Sequence, residues 1–175
     1  MTYTYADDST KRCVWTCPFS PSLYGDNTTS SCVSRCPANS FGDNDTRLCL
    51  VTCFFNVTFN GVKKYTYADN NTNFCLYTCP PGSWSDNRTY QCVSQCSLGM
   101  FADNSTWKCV LMCPSNPRSF SYAPTRQCLY HCPGTYFASD SGRQCIDGAC
   151  PTTPFFYYRD YASKTCLLST FVVIF

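Results

Sequence analysis

The chain has 175 residues, seventeen of them cysteine, and a net charge of +2 from thirteen basic and eleven acidic side chains. That cysteine density belongs to disulfide scaffolds of oxidising, extracellular compartments, and the scattered, nearly balanced charge leaves no footprint for nucleic acid. No run of about eighteen apolar residues exists to cross a membrane as a helix, and the abundance of Thr, Tyr, Phe, Asn, Ser, Gly and Pro favours short strands and turns.

From Tyr3 onward one pattern returns nine times. Its lead cysteines are Cys13, Cys32, Cys49, Cys75, Cys92, Cys109, Cys128, Cys145 and Cys166. Eight residues before each stands an aromatic: Tyr5, Tyr24, Phe41, Tyr67, Trp84, Phe101, Phe120, Phe137 and Tyr158. An aliphatic follows each, from Val14 to Leu167. The lead spacings are 19, 17, 26, 17, 17, 19, 17 and 21 residues, so seventeen is the base period and the longer values are loop insertions. The units run approximately 3–18, 19–37, 38–54, 55–80, 81–97, 98–114, 115–133, 134–151 and 152–175, within a single tandem array over 1–175. The 26-residue interval holds Phe54–Val62, an alternating stretch with a turn signal that predicts an extra hairpin. Tyr3-Thr-Tyr-Ala-Asp7 recurs at Tyr65–Asp69, which points to a duplication after three units. No signal peptide precedes the pattern, so the chain is read as a mature or partial product that does not start at its natural Met.

A second cysteine follows four residues after the lead in units one to seven, at Cys17, Cys36, Cys53, Cys79, Cys96, Cys113 and Cys132; in unit eight it is Cys150, and unit nine has none. Three pairings fit. The second cysteine of each unit bonds the next lead (17–32, 36–49, 53–75, 79–92, 96–109, 113–128, 132–145, 150–166), leaving Cys13 open. Alternatively each unit bonds its own pair, or neighbouring units pair one-to-three and two-to-four. The first accounts for both ends of the array.

Under that pairing each unit is a small disulfide-closed β-hairpin, with Asp, Asn and Gly in its turn and the aromatic and aliphatic as its internal apolar contacts. Small residues follow the aromatic in eight of nine units, so the backbone packs closely there. One such unit buries too little to fold alone and must stack on its neighbours. The predicted fold is therefore mainly β, an elongated rod of nine stacked disulfide-closed hairpins.

Asn-x-Ser/Thr sequons occur at Asn27, Asn44, Asn56, Asn70, Asn87 and Asn104, and all but Asn56 stand five residues before a lead cysteine. The same Asp-Asn-x-Thr run is also a turn capped by its threonine, a role that Asp8-Ser-Thr10 keeps without a sequon. On an exposed turn of an extracellular chain, these asparagines are glycan acceptors. Zinc wants short paired Cys-x-x-Cys spacings and histidine, whereas the spacing here is four and His131 is the only histidine. Calcium wants several oxygens per site, and each unit offers about one aspartate. The aspartates recur at equivalent positions, a structural pattern unlike paired acid–base groups. No metal, cofactor or catalytic residue is expected. The apolar tail Phe171, Val172, Val173, Ile174 and Phe175 reads as a cap on the last unit, or as a strand given to another subunit. With the open Cys13 it makes head-to-tail linkage between chains conceivable.

The run Cys-x-x-x-Cys-Pro, a variable stretch, then aromatic-Gly/Ala-Asp-Asn-x-Thr-x-x-Cys resembles furin-like, growth-factor-receptor-type cysteine-rich repeats. It is similar to the long arrays of surface and secreted proteins of ciliates and other protists. The likeness covers Tyr3 to Thr170. It implies a disulfide-laddered ectodomain of a cell coat or extracellular appendage; the four-residue spacing departs from receptor modules with paired bridges. The expectation is an extracellular, non-enzymatic structural glycoprotein of a surface coat, filament or fibril, partnered by copies of itself or other coat proteins. The alternative is a receptor or adhesin ectodomain, with Phe155-Phe-Tyr-Tyr158 in the sequon-free units seven to nine as its binding patch.

Overall fold

Each repeat is two short strands joined by a tight turn, a length dictated by the few residues between aromatic and aspartate on one side and between turn and aliphatic on the other. The computed structural model describes residues 4–53, 57–59, 62–148, 150–151 and 157–168, with backbone alone at 57–59 and 62–64. The expected sequon Asn56 and the tail Phe171–Phe175 lie outside the described residues.

The chain divides into two compact parts, Met1–Ser94 and Gln95–Phe175. The first holds β1 (Tyr5–Asp7), β2 (Arg12–Val14), β3 (Tyr24–Asp26), β4 (Ser31–Val33), β5 (Phe41–Asp43) and β6 (Leu48–Leu50). It continues with β7 (Val57–Phe59), β8 (Val62–Lys64), β9 (Tyr67–Asp69), β10 (Phe74–Leu76), β11 (Trp84–Asp86) and β12 (Gln91–Val93). The second holds β13 (Phe101–Asp103), β14 (Lys108–Val110), β15 (Phe120–Tyr122), β16 (Gln127–Leu129), β17 (Phe137–Ser139), β18 (Gln144–Ile146), β19 (Tyr157–Asp160) and β20 (Thr165–Leu168).

In every hairpin the aromatic faces the aliphatic across the ladder, as Tyr5 faces Val14 and Phe101 faces Val110. The residue after the aromatic faces the lead cysteine, as Ala6 faces Cys13. Successive hairpins join by one parallel bridge. In the first part these are Ala6 to Ser31, Gly25 to Leu48, Gly42 to Phe74 and Ala68 to Gln91. In the second they are Ala102 to Gln127, Ser121 to Gln144 and Ala138 to Thr165. The predicted extra hairpin is β7–β8, with Val57 opposite Lys64.

The bridge depends on a feature that the sequence hides. The residue two before each lead cysteine has positive φ in all nine repeats, from Lys11 (57°) to Lys164 (55°), and none is glycine. A left-handed residue there closes the turn onto its aspartate: the N–H groups of Arg47, Asn73, Tyr90 and Trp107 donate to the carbonyls of Asp43, Asp69, Asp86 and Asp103 at 2.8–2.9 Å. It also turns its own carbonyl toward the preceding repeat. Ala6 N–H donates to Ser30 O, Gly25 to Arg47, Gly42 to Asn73 and Ala68 to Tyr90, all at 2.7–2.9 Å. The conformational cost of about 1 kcal/mol or more per residue thus secures one interrepeat hydrogen bond at Ser30, Arg47, Asn73, Tyr90, Arg126, Arg143 and Lys164.

Eight disulfides follow the ladder: 17–32, 36–49, 53–75, 79–92, 96–109, 113–128, 132–145 and 150–166. Each joins the second cysteine of one repeat to the lead cysteine of the next. Cys13 is exposed and in no disulfide.

The aromatic is packed by the aliphatic of its own hairpin, as Leu50, Val33 and Ile146 lie against the clusters of Phe41, Tyr24 and Phe137, and it also forms the interrepeat core. Tyr24 clusters with Cys36 and Cys49, Phe41 with Cys53, Cys75 and Ala68, and Phe120 with Cys132, Cys145 and Ala138. The ring of one repeat lies on the small residue and disulfide of the next. This explains the small residue after each aromatic. A Cβ on Gly25 would meet the Tyr5 ring at 2.7 Å. The exception, Arg159, lays its guanidinium 5.7 Å over the Phe137 ring instead.

The loops between repeats also follow length. Short ones close by a β-turn, with Ser40 N–H to Pro37 O and Ser83 N–H to Pro80 O at 3.1 Å, the third residue (Asn39 or Gly82) taking the positive φ of a type II turn. The two 19-residue intervals instead each carry a cis proline, at Pro21 and Pro117.

Candidate functional site: the sequon turn

Among the described residues, the repeated turn gathers a buried carboxylate, hydroxyls and backbone N–H groups in the same arrangement from repeat to repeat. Its aspartate is buried in six repeats (Asp7, Asp26, Asp43, Asp69, Asp86 and Asp103). A buried carboxylate needs hydrogen-bond donors, and the turn supplies them. The hydroxyls of Thr10, Thr29, Thr46, Thr72 and Thr106 donate to Asp7, Asp26, Asp43, Asp69 and Asp103 at 2.5–2.8 Å. Backbone N–H groups of Ser9, Thr28, Thr46, Asn71, Arg88 and Ser105 add a second set. The expected threonine cap is thus built on the aspartate.

These bonds favour the charged form. The Ser9 and Thr10 hydroxyls hold Asp7 below the usual carboxylate range. At Asp26 burial pushes upward, but the Thr28 N–H and Thr29 hydroxyl together outweigh it and the net shift is downward. Asp160 is lowered by the Ser163 hydroxyl and the Ala162 N–H.

The asparagine beside the aspartate points outward. Asn27, Asn44, Asn70, Asn87 and Asn104 are all exposed. Three of them also receive a phenol from the preceding repeat: Tyr5 donates to Asn27 Oδ1 at 2.5 Å, Tyr24 to Asn44 Oδ1 at 2.6 Å and Tyr67 to Asn87 Oδ1 at 2.5 Å. Sequence reasoning missed this link. The sequence carries a partial signal: Tyr5, Tyr24 and Tyr67 each precede a repeat with asparagine, but so do Phe41 and Trp84, whereas Phe101, Phe120 and Phe137 precede Ala123, Asp140 and Tyr161.

Cationic left-handed residues were missed as well. Arg47 Nη2 donates to Pro18 O at 2.8 Å, Arg126 Nη1 to Cys96 O at 3.0 Å and Lys164 Nζ to Gly134 O at 3.1 Å. Each reaches back to the loop that leads into the preceding repeat. Arg47 is itself buried, with its guanidinium 4.8 Å over Phe19 and 4.6 Å over Tyr24.

His131 is exposed and stands beside disulfide-bonded Cys132. Among the described residues no group of three or more His, Cys, Asp or Glu side chains gathers to hold a metal ion, and no helix is long and apolar enough to cross a membrane. In the ninth hairpin Tyr158, Tyr161, Leu167 and Leu168 are exposed; Phe155 and Phe156 lie outside the described residues.

The chain is a cysteine-rich repeat array whose eight disulfides are characteristic of extracellular or secreted proteins. Compared with models of protein families, with curated proteins and with solved structures, the chain matches none.

Proposed function

We propose that the chain is a non-enzymatic structural glycoprotein of the extracellular space, a component of a cell-surface coat or filament that assembles with copies of itself or with other coat proteins. The single observation that carries this reading is the repetition itself: the same disulfide, ring and sequon turn recur along the array. Repetition multiplies one surface, which suits a scaffold better than a reaction centre. The regular cysteine pattern supports kinship with furin-like, growth-factor-receptor-type arrays of the protist surface kind.

In this reading Asn27, Asn44, Asn70, Asn87 and Asn104 carry N-linked glycans, and Asn56 joins them. Transfer replaces an Nδ2–H bond by an Nδ2–C1 bond; the diphosphate of a lipid-linked oligosaccharide leaves with the C1–O electron pair, and the released proton balances the negative charge the diphosphate gains. Nδ2 is the atom modified, so the Tyr-to-Oδ1 hydrogen bonds survive the reaction.

Mass spectrometry of unreduced, secreted protein tests the reading directly. The expected result is the eight ladder-linked peptide pairs and hexose-bearing asparagines at the turn positions, with light scattering reporting species larger than one chain. Free thiols throughout with bare asparagines would sink it. The exposed Tyr158, Tyr161, Leu167 and Leu168 favour a second reading, a receptor or adhesin ectodomain. A strictly monomeric chain that binds a protein or glycan ligand, and stops doing so in Tyr158→Ser, would establish that reading instead.

A further inference from the structure

The five described sequon turns share a backbone but not their surroundings, and Asn87 differs from the rest. It lines a cavity of about 180 Å³ together with Tyr65 and Tyr90. The two rings are 6.2 Å apart between centroids and inclined by 38°, so they form an angled pair. Beneath them Tyr67, only 5% exposed, holds Asn87 Oδ1 through its hydroxyl at 2.5 Å. That bond fixes the side chain and leaves Nδ2 as its reactive end. The volume falls below the ~300–1,000 Å³ of clefts that enclose whole drug-sized ligands, and matches a single ring.

We propose that Tyr65 and Tyr90 form an aromatic seat for the innermost N-acetylglucosamine of a glycan on Asn87. The proposal rests on the glycoprotein reading above and adds a specific carbohydrate contact to one site of it. A pyranose presents a face of C–H groups, weakly positive at hydrogen, to the negative face of an aromatic ring. The N-acetyl methyl is apolar and suits the same surface.

Position in the repeat shows why this sequon alone has both rings within the first part. Tyr90 stands three residues after the sequon asparagine, and Tyr65 two residues before the aromatic of the preceding repeat. At Asn44 those places hold Arg47 and Ser22, and at Asn70 they hold Asn73 and Asn39. Asn44 and Asn70 are therefore controls within the same molecule.

The test uses the full chain secreted from a eukaryotic host. Undenatured protein is treated with an endoglycosidase that cuts between the two core N-acetylglucosamines, and release is followed by glycopeptide mass spectrometry. The seat predicts release at Asn87 about fivefold or more slower than at Asn44 and Asn70, the factor that an aromatic contact of ordinary strength gives. Tyr65→Ser and Tyr90→Asn should each bring Asn87 to the control rate; asparagine suits the 54° φ of residue 90. A second readout needs no variant: the N-acetyl methyl protons at Asn87 should be shifted upfield by the rings, and those at Asn44 should not. A glycan on Asn87 that is released at the Asn44 rate with an unshifted methyl overturns the seat alone. A bare Asn87 beside glycosylated Asn44 and Asn70 also overturns the seat but leaves the glycoprotein reading standing. Bare asparagines throughout sink both.

Discussion

Replacing Gly25 by alanine asks whether the ring-on-backbone stack, and not the disulfides alone, sets the spacing of repeats. An alanine Cβ would sit 2.7 Å from Tyr5 Cζ and 2.8 Å from both Cε atoms, about 0.7 Å inside ordinary contact. The ring has little room to retreat, because Tyr5 is 3% exposed and its hydroxyl is tied to Asn27. Overpacking of this kind costs roughly 1–3 kcal/mol. The reporter lies across the same junction: Ala6 N–H donates to Ser30 O at 2.8 Å. Native-state hydrogen exchange of the Ala6 amide should quicken roughly 5- to 100-fold in Gly25→Ala, while the equivalent Ala138 amide, bonded to Lys164 O, keeps its rate. In a Tyr5→Phe background the ring is untied from Asn27 and can slide, as Phe120 already lies over Ala138. The added cost of Gly25→Ala should then fall by about half or more. An Ala6 rate unmoved by Gly25→Ala, or an equal cost in both backgrounds, would refute the stacking argument.

The left-handed turn residue gives another test. Ser30 has φ 54°, so Ser30→Val should destabilise the junction by about 1–2 kcal/mol while Ser30→Asn stays near neutral, both read from the same amide. Asp7 and Asp26 titrate below their ordinary range, and the sign follows from linkage. Their turns are fully stabilised above the unfolded value of about 3.9 and lose that support as pH falls through the lower folded value. NMR titration of the Ser9 and Thr28 amides should show midpoints below about 3.9, and midpoints above it would count against the hydrogen-bond account. Tyr77, whose hydroxyl donates to Asp45, is pushed up to about 12 chiefly by that bond. Asp45→Asn should lower the alkaline midpoint of one tyrosine in ultraviolet titration, and no change would exclude the pair.

The ladder was readable because it is written in period and parity. Nine aromatics and nine lead cysteines at fixed offsets define hairpins, and the missing second cysteine in the last repeat favours the pairing that the disulfides adopt. What the ring packs against was harder to read. The aromatic and aliphatic of one repeat are partners across the ladder, so a local reading puts them in one core. The single parallel bridge also lays the ring over the small residue of the next repeat, from 18 residues away at Phe120 and Ala138 to 27 at Phe41 and Ala68. The left-handed position was invisible for a different reason. Its residues are Lys, Ser, Arg, Asn, Tyr and Trp, and only asparagine among them advertises positive φ. The conformation is imposed by the bonds on either side, to the aspartate carbonyl and to the preceding repeat, and composition carries no trace of it.

The sequon raises a sharper question, since each of its parts has a structural use. The threonine caps the buried aspartate, and the asparagine accepts a phenol in three repeats. Those uses do not account for the whole motif. Accepting a hydroxyl requires only an oxygen, which aspartate supplies equally well, and the position admits aspartate at Asp8 and Asp140. The middle residue is free in the turn: it is Thr28, Asp45, Asn71, Arg88 and Ser105 in turn, and the seventh repeat places Pro124 there. Yet proline appears in that slot where the preceding residue is Ala123, and in none of the five repeats where it is asparagine. Where a tyrosine of the preceding repeat reaches the turn, folding asks only for an acceptor and a hydroxyl on the aspartate, while the coincidence of asparagine, threonine and no proline between them is what glycan transfer asks for. That surplus of order over what the turn requires supports glycosylation more strongly than the count of sequons does.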